Sequence, residues 1–249
     1  GTTDLSIIYT PSTFKNPRSM DSYPHLKAHL DKFRDVISSD NKPYGLHRSR
    51  VESFFVGEKI VALRKCAGRP IFAFANGLNY MSATFYVIKT NRVNMKYLTG
   101  LLNSKLIEFW LKNKGKMQGA NYQLDKEPLQ QIPIAVPSND VQEIVAKLVD
   151  MIILLNTTDE RASELVQNSY ISSELEKLID GCIYEIYLPS EMAGMSVITV
   201  LRNYIKQKDS ISIDDIWELY MKIDSTGIIE SLNSLSLSSS ETLRTIILS

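Results

Sequence analysis

Leu26, Leu30, Phe33 and Ile37 recur at helical spacing within 23–38, "YPHLKAHLDKFRDVIS", and predict a short helix. The polar run 39–50, "SDNKPYGLHRSR", predicts a loop. The period then shortens. "KIVALRK", "PIFAFA" and "NYMSATFYVI" predict three strands, and Asn76-Gly77 predicts a hairpin turn between the second and third. Residues 94–113 return to a helix with Leu98, Leu101, Leu102, Leu106, Phe109 and Trp110 on one side. A basic, glycine-containing loop follows, and then "IPIAVP" as a last strand.

Pro137 closes this half, and the pattern beyond it is helical. Val141, Ile144, Val145, Leu148, Val149, Ile152 and Leu155 keep near-heptad spacing. A polar linker spans about 156–171. Ser173 with Glu176 predicts a capping box for a helix carrying Leu175, Leu178, Ile179, Cys182, Ile183, Ile186 and Tyr187, ended by Pro189. Ser212 with Asp215 predicts another cap. The tail "SLNSLSLSSS" is either a last helix or poorly ordered. The expected fold class is α+β: a twisted-sheet domain with supporting helices over 1–137, then an all-α scaffold or docking region over 138–249.

Composition adds a sharper division. The 249 residues are neutral overall, but 1–137 hold 20 Lys+Arg against 10 Asp+Glu, and 138–249 hold 8 against 18. A net +10 followed by a net −10 points to a polyanion partner for the first half; the plain alternative is two solvated surfaces. A hydrophobic share of 44% provides a proper core. No apolar run approaches the roughly 18 residues of a membrane span, and no signal-peptide pattern opens the chain. Cys66 and Cys182 stand far apart and are read as ordinary buried thiols of a cytoplasmic protein. The initial Gly1 suggests a fragment of something longer.

Catalytic chemistry is poorly represented. There is no glycine-rich cofactor loop after a strand, no Pro-Pro-Tyr type motif, no phosphate loop and no nucleophile elbow. Asp40-Asn41-Lys42 is a meagre basis for a metal nuclease. His25 and His29 are four apart, as zinc ligands are on a helix, but no further ligand follows at a recognisable spacing. A binding module is the expected class, with no catalytic and no metal residues.

Duplex DNA is the natural polyanion. Lysine and arginine neutralise phosphates, and Arg, Lys, Asn and Gln match base edges in the major groove. Both sets stand in expected loops: His47, Arg48 and Arg50; Arg64, Lys65 and Arg69; Asn76, Asn79 and Tyr80; and Lys112, Lys114, Lys116, Gln118, Asn121, Tyr122 and Gln123. Each has a structural alternative. Asn76 forms turns, Lys112 and Lys114 complement a helix C-terminus, and Arg64 and Lys65 protect a strand edge. Gly115 and Gly119 are expected to allow close backbone approach and positive φ, projecting the loop "KNKGKMQGANYQ" toward DNA.

In their order, "VGEKIVALRK", "FAFANGLNYMSATFYVI", "MKYLTGLLNSKLIEFWL" and "KGKMQGANYQLDKEPLQQIPI" resemble TaqI-like C-terminal specificity domains. "YPHLKAHLDKFRD" and "LHRSR" are similar to that family's lead-in. "IVAKLVDMIILLN" and "ISSELEKLIDGCIYEIYLPSEM" resemble the helical segments that follow it, so the resemblance covers about 23–192. It implies the target-recognition part of a bacterial type II restriction enzyme or amino-adenine DNA methyltransferase, with double-stranded DNA and the parent's methyltransferase or nuclease portion as partners. The methylase core is missing here, so no activity is carried over to this chain. S-adenosylmethionine, with magnesium in a cleaving parent, would belong to the missing part. The competing expectation is a protein-interaction module in which the basic and acidic halves pair with each other or with a partner subunit.

Overall fold

The computed structural model describes residues 6–36, 44, 49–118, 121–192, 194–205, 210–237 and 240–249; over 116–118 it describes the backbone. Two compact units emerge, 1–57 with 76–82, and 58–75 with 83–249. The expected loop 39–50, including Asp40-Asn41-Lys42, lies mostly outside the described residues.

In the first unit, Pro24 opens helix α1 (Pro24–Asp31), where its missing N–H costs nothing. One-turn helices at Ser12–Lys15, Pro17–Met20 and Glu52–Phe54 complete the regular structure of its described residues. An aromatic cluster organises it. The Tyr9 ring stacks on Tyr80 at 4.8 Å, and Phe55 lies 5.4 and 5.0 Å from the two. The Tyr9 hydroxyl donates to the Arg50 carbonyl at 2.6 Å and accepts from its N–H at 2.7 Å.

The second unit begins with β1 (Lys59–Leu63) and β2 (Lys65–Ala67), followed by β3 (Phe72–Ala75) and β4 (Phe85–Ile88). One antiparallel sheet has the order β3-β1-β4. Its central strand turns Ile60 and Ala62 into the core. Since β1 lies between β3 and β4, Asn76-Gly77 does not close a hairpin, although Gly77 takes the left-handed turn conformation at φ +87°. The expected strand "NYMSATFYVI" shrinks to its last four residues.

The expected 94–113 helix is two helices, α2 (Met95–Asn103) and α3 (Lys105–Lys114). Ser104 makes the break: extended at ψ 154°, it accepts from the Ile107 N–H and donates to the Leu101 carbonyl. Asn103 holds α2 to the sheet edge, accepting from the Phe72 N–H at 3.0 Å and donating to the Phe72 carbonyl at 2.7 Å. The short strands β5 (Lys116–Gln118) and β6 (Asn121–Gln123) and the one-turn helix α4 (Lys126–Gln130) come next. "IPIAVP" is irregular rather than a strand. Its prolines lack ladder donors, and the Tyr187 hydroxyl ties it down by donating to the Pro133 carbonyl and accepting from the Ala135 N–H.

Among the described residues six α-helices follow: α5 (Asn139–Thr157), α6 (Asn168–Tyr187), α7 (Val197–Ile205), α8 (Ile213–Asp224), α9 (Ile228–Asn233) and α10 (Glu241–Leu248). Ser212 and Asp215 form the expected capping box of α8. Ser173 does not cap a helix: it lies inside α6, which starts at Asn168, and its hydroxyl bonds the Tyr170 carbonyl. The apolar stripe of α5, including Ile144, Val145, Leu148 and Val149, is buried against α2 and α6. Gly100 lets α2 approach, since a Cβ there would lie 2.8 Å from Val145 Cγ1. The core therefore runs continuously through position 137. Ion pairs cross that position too, Lys96–Asp150 at 2.6 Å and Arg69–Glu176 at 3.5 Å. Strands occur only before 137 among the described residues, so the α+β expectation holds. None of the described helices is long and apolar enough to cross a membrane.

Candidate nucleic-acid interface

Arg64 ends one sheet and starts another. Its N–H donates to the Thr84 carbonyl at 2.9 Å, prolonging the β1–β4 pairing, and its carbonyl accepts from the Leu124 N–H at 2.9 Å. Past this kink the chain leaves β1 and becomes β2, the edge of a second antiparallel sheet of order β2-β6-β5. Lys65 pairs with Gln123 and Ala67 with Asn121 across one interface. Lys116 pairs with Gln123 and Gln118 with Asn121 across the other. The supposed projecting loop is thus mostly a small sheet, and register brings two distant sequence segments together.

Strand alternation gives this sheet two unlike faces. Tyr122 is 1% exposed, and its hydroxyl donates to the Leu111 carbonyl at 2.6 Å. Burial pushes its pKa up to about 12, so it remains a donor. Cys66, its cross-strand partner, is half-buried on the same side, where burial pushes the thiol up. The opposite face carries exposed Lys65 and Asn121 and half-buried Gln123. By register, Lys116 and Gln118 occupy the positions beside Gln123 and Asn121. Lys65 makes no ion pair among the described residues. The Arg64 guanidinium is exposed, 5.2 Å from the Tyr86 ring centre. A cavity of about 580 Å³ borders the sheet, lined by Leu63, Arg64, Lys65, Thr84, Gln123 and Asp125 among others.

The remaining candidates divide by environment. Tyr122 is corrected from base probe to core residue, because its ring is enclosed and its hydroxyl is engaged. Arg69 serves the scaffold, donating to the Asn103 carbonyl at 3.3 Å and facing Glu176 at 3.5 Å and Glu108 at 3.9 Å. Lys112 meets Glu108 at 3.0 Å and the Ser249 carbonyl at 2.7 Å. Burial pushes the Glu108 carboxyl up, but hydrogen bonds from Lys105 and Lys112 more than offset it, and its pKa lies below the usual value. Lys114 lies over the Trp110 ring at 5.6 Å in the last turn of α3.

Arg50, Asn79 and Tyr80 belong to the first unit. The Arg50 backbone is clasped by Tyr9, the Asn79 N–H donates to the Phe55 carbonyl, and the Tyr80 hydroxyl donates to Glu52. Arg48 and His47 lie outside the described residues, as does Gly119. Gly115 is not a positive-φ position: at φ −91° its role is close approach alone, since a Cβ would overlap the Tyr122 hydroxyl and lie 2.6 Å from the Leu111 carbonyl oxygen.

Sequence reasoning passed over Asp125. Its signal was present, an acidic residue directly after "NYQL" in a basic stretch. Its carboxylate accepts from the Gln123 side-chain amide at 2.8 Å. A larger groove of about 610 Å³, with Asp180 in its wall, lies between β3, α2, α5 and α6; of the expected binding residues it touches only Arg69. Among the described residues no group of three His, Cys, Asp or Glu side chains is placed to hold a metal ion.

Comparison with known families agrees with the resemblance in the sequence. Residues 21–134 match the TaqI-like C-terminal specificity domain. The match covers somewhat less than half of the 249 residues and includes both sheets and α1 to α4. It supports a DNA-sequence-specificity domain of restriction–modification enzymes, and it is to a specificity domain rather than a catalytic one. The helical segments beyond 134 fall outside it. No curated protein matches the chain.

Proposed function

We propose that this chain is the sequence-recognising portion of a type II restriction enzyme or amino-adenine DNA methyltransferase. It binds duplex DNA and leaves the chemistry to a catalytic portion elsewhere in the parent protein. The observation that carries this is the two-faced sheet of β2, β6 and β5. Its buried side is anchored through Tyr122, while its open side presents lysine and carboxamide groups within the segment that matches a specificity domain. Lys65 and Arg64 supply phosphate contacts, with Lys114 and Lys116 as further cations. Asn121, Gln123 and Gln118 supply base contacts, because carboxamides match base edges as donor–acceptor pairs. Within 1–137 recognition is concentrated, and 138–249 completes the core and serves as scaffold. S-adenosylmethionine and magnesium are assigned to the catalytic portion and to no residue here.

The test is fluorescence anisotropy of the chain with a randomised duplex pool across a salt series. Binding should weaken steeply, with a log–log slope of several units, about 0.9 for each phosphate neutralised. A slope near zero sinks the proposal. The interaction-module reading draws on ion pairs that join the basic and acidic segments, Lys96–Asp150 and Arg69–Glu176 among the described residues. It predicts a stable complex with a partner subunit or second copy and no DNA affinity.

A further inference from the structure

Asp125 occupies the N-cap position of α4, where aspartate ordinarily accepts hydrogen bonds from the first helical N–H groups. It makes no such bond. Its carboxylate instead accepts from Gln123 Nε2 at 2.8 Å. A local preference is set aside in favour of a contact to one side chain, and such departures mark functional positions. Gln123 is central in its sheet, with Lys65 opposite it on one edge strand and Lys116 on the other. Both Gln123 and Asp125 line the cavity beside the sheet.

The contact fixes more than a rotamer. A carboxamide has two N–H donors on nitrogen and an acceptor oxygen. A carboxylate accepts only, so it selects the orientation with Nε2 toward Asp125 and repels the flipped one. One Gln123 N–H is then used. One N–H and Oε1 remain. In the major groove adenine presents an acceptor, N7, beside a donor, the N6 amino group. Guanine presents two acceptors, cytosine a lone amino donor and thymine a lone acceptor. Adenine alone gives the constrained amide two hydrogen bonds, and guanine O6 would face Oε1.

We propose that Asp125 is a positioning residue that locks the Gln123 carboxamide for adenine at one position of the recognised DNA. This rests on the DNA-binding reading above and deepens it. The experiment is selection from a randomised duplex pool, followed by sequencing, with the full chain and with Gln123→Ala, Asp125→Ala and Asp125→Asn. The wild-type chain should enrich adenine at one position, by roughly five- to 150-fold for a bidentate contact. Gln123→Ala should level that position. Asp125→Ala should relax it by about two- to tenfold through lost preorganisation, with guanine admitted first. Asp125→Asn presents a donor as well as an acceptor, so it no longer excludes the flipped amide and should relax the preference as Asp125→Ala does. Both Asp125 variants remove a negative charge and should tighten binding to the unselected pool alike, an effect read in overall affinity and apart from the base preference at the one position.

Salt-insensitive or absent wild-type binding would overturn the DNA reading and this inference with it. A wild-type site whose preferences survive Gln123→Ala would overturn the inference alone. So would an Asp125→Ala or an Asp125→Asn profile identical to wild type.

Discussion

The Tyr122 hydroxyl donates to the Leu111 carbonyl oxygen over 2.6 Å, joining the central strand of the small sheet to the last turn of α3. The same carbonyl accepts from the Gly115 N–H at 2.7 Å. Tyr122→Phe should therefore cost about 1 kcal/mol, one hydrogen bond's net worth, because the carbonyl keeps a partner. Gly115→Ala should cost about 1–3 kcal/mol, since the new methyl overlaps the tyrosine hydroxyl. Urea denaturation of the two variants checks the order; equal stabilities for Gly115→Ala and wild type would refute the close approach.

Lys65 and Arg69 are four residues apart and should behave oppositely. Lys65→Ala removes an exposed cation with no ion pair among the described residues and should lower the salt slope of DNA binding by about one unit, evenly across sequences. Arg69→Ala removes contacts to Glu108, Glu176 and the Asn103 carbonyl. It should leave the slope unchanged and cost about 0.5–1 kcal/mol of stability, as partly exposed ion pairs do. Anisotropy and thermal melts on the same samples separate the two.

Asp180 gives a pH signature. Burial pushes its carboxyl up from 3.8 to about 7, against the Lys105 N–H that donates to it at 2.8 Å. Between those values the folded chain holds a proton that the unfolded chain releases. This contribution to stability is thus present below about pH 4, falls as pH rises to 7, and is flat above. Asp180 keeps some exposure at the groove, so about 1–2 kcal/mol is expected rather than the full linkage value of roughly 4. Asp180→Asn should remove this slope and be the more stable form at pH 8. Denaturation midpoints at pH 5, 6, 7 and 8 decide it; a variant with the wild-type slope would rule it out.

Ending the chain at Pro137 should abolish cooperative folding of what remains. Leu98, Leu101 and Leu102 lie in one core with Val145, Leu148 and Ile179 from α5 and α6. Uncovering them exposes side chains worth about 1.5–3 kcal/mol each when buried. Near-ultraviolet circular dichroism of 1–137 should show lost tertiary structure; a sharp melt with native signal would show that this half stands alone.

Helical periodicity was legible along α5, and so was the capping box at Ser212, whereas the one-sided helix Val197–Ile205 was passed over. Competing local chemistry hid other features. Ser104 lies in an apolar helical pattern, and its choice to cap Ile107 depends on where the Leu101 carbonyl stands. "IPIAVP" has strand composition, but two of its backbone donors are missing. Asn76-Gly77 announces a turn without saying which strands will pair. The candidate site was half legible. Residue types suited to DNA were visible in both segments, but cross-strand register alone joins Lys65 to Gln123. Alternation then decides that Tyr122 is inside while its neighbours are outside. Asp125 was missed because a carboxylate looks out of place on a basic surface until its amide partner is seen.

The backbone bonds on either side of Arg64 have a consequence for retargeting. They set where the small sheet lies on its scaffold without using any side chain of the open face. On the proposed surface, positions 121 and 123 are the ones to exchange for a new DNA target while 66 and 122 are kept. Address and mounting are then separate properties of one short ribbon.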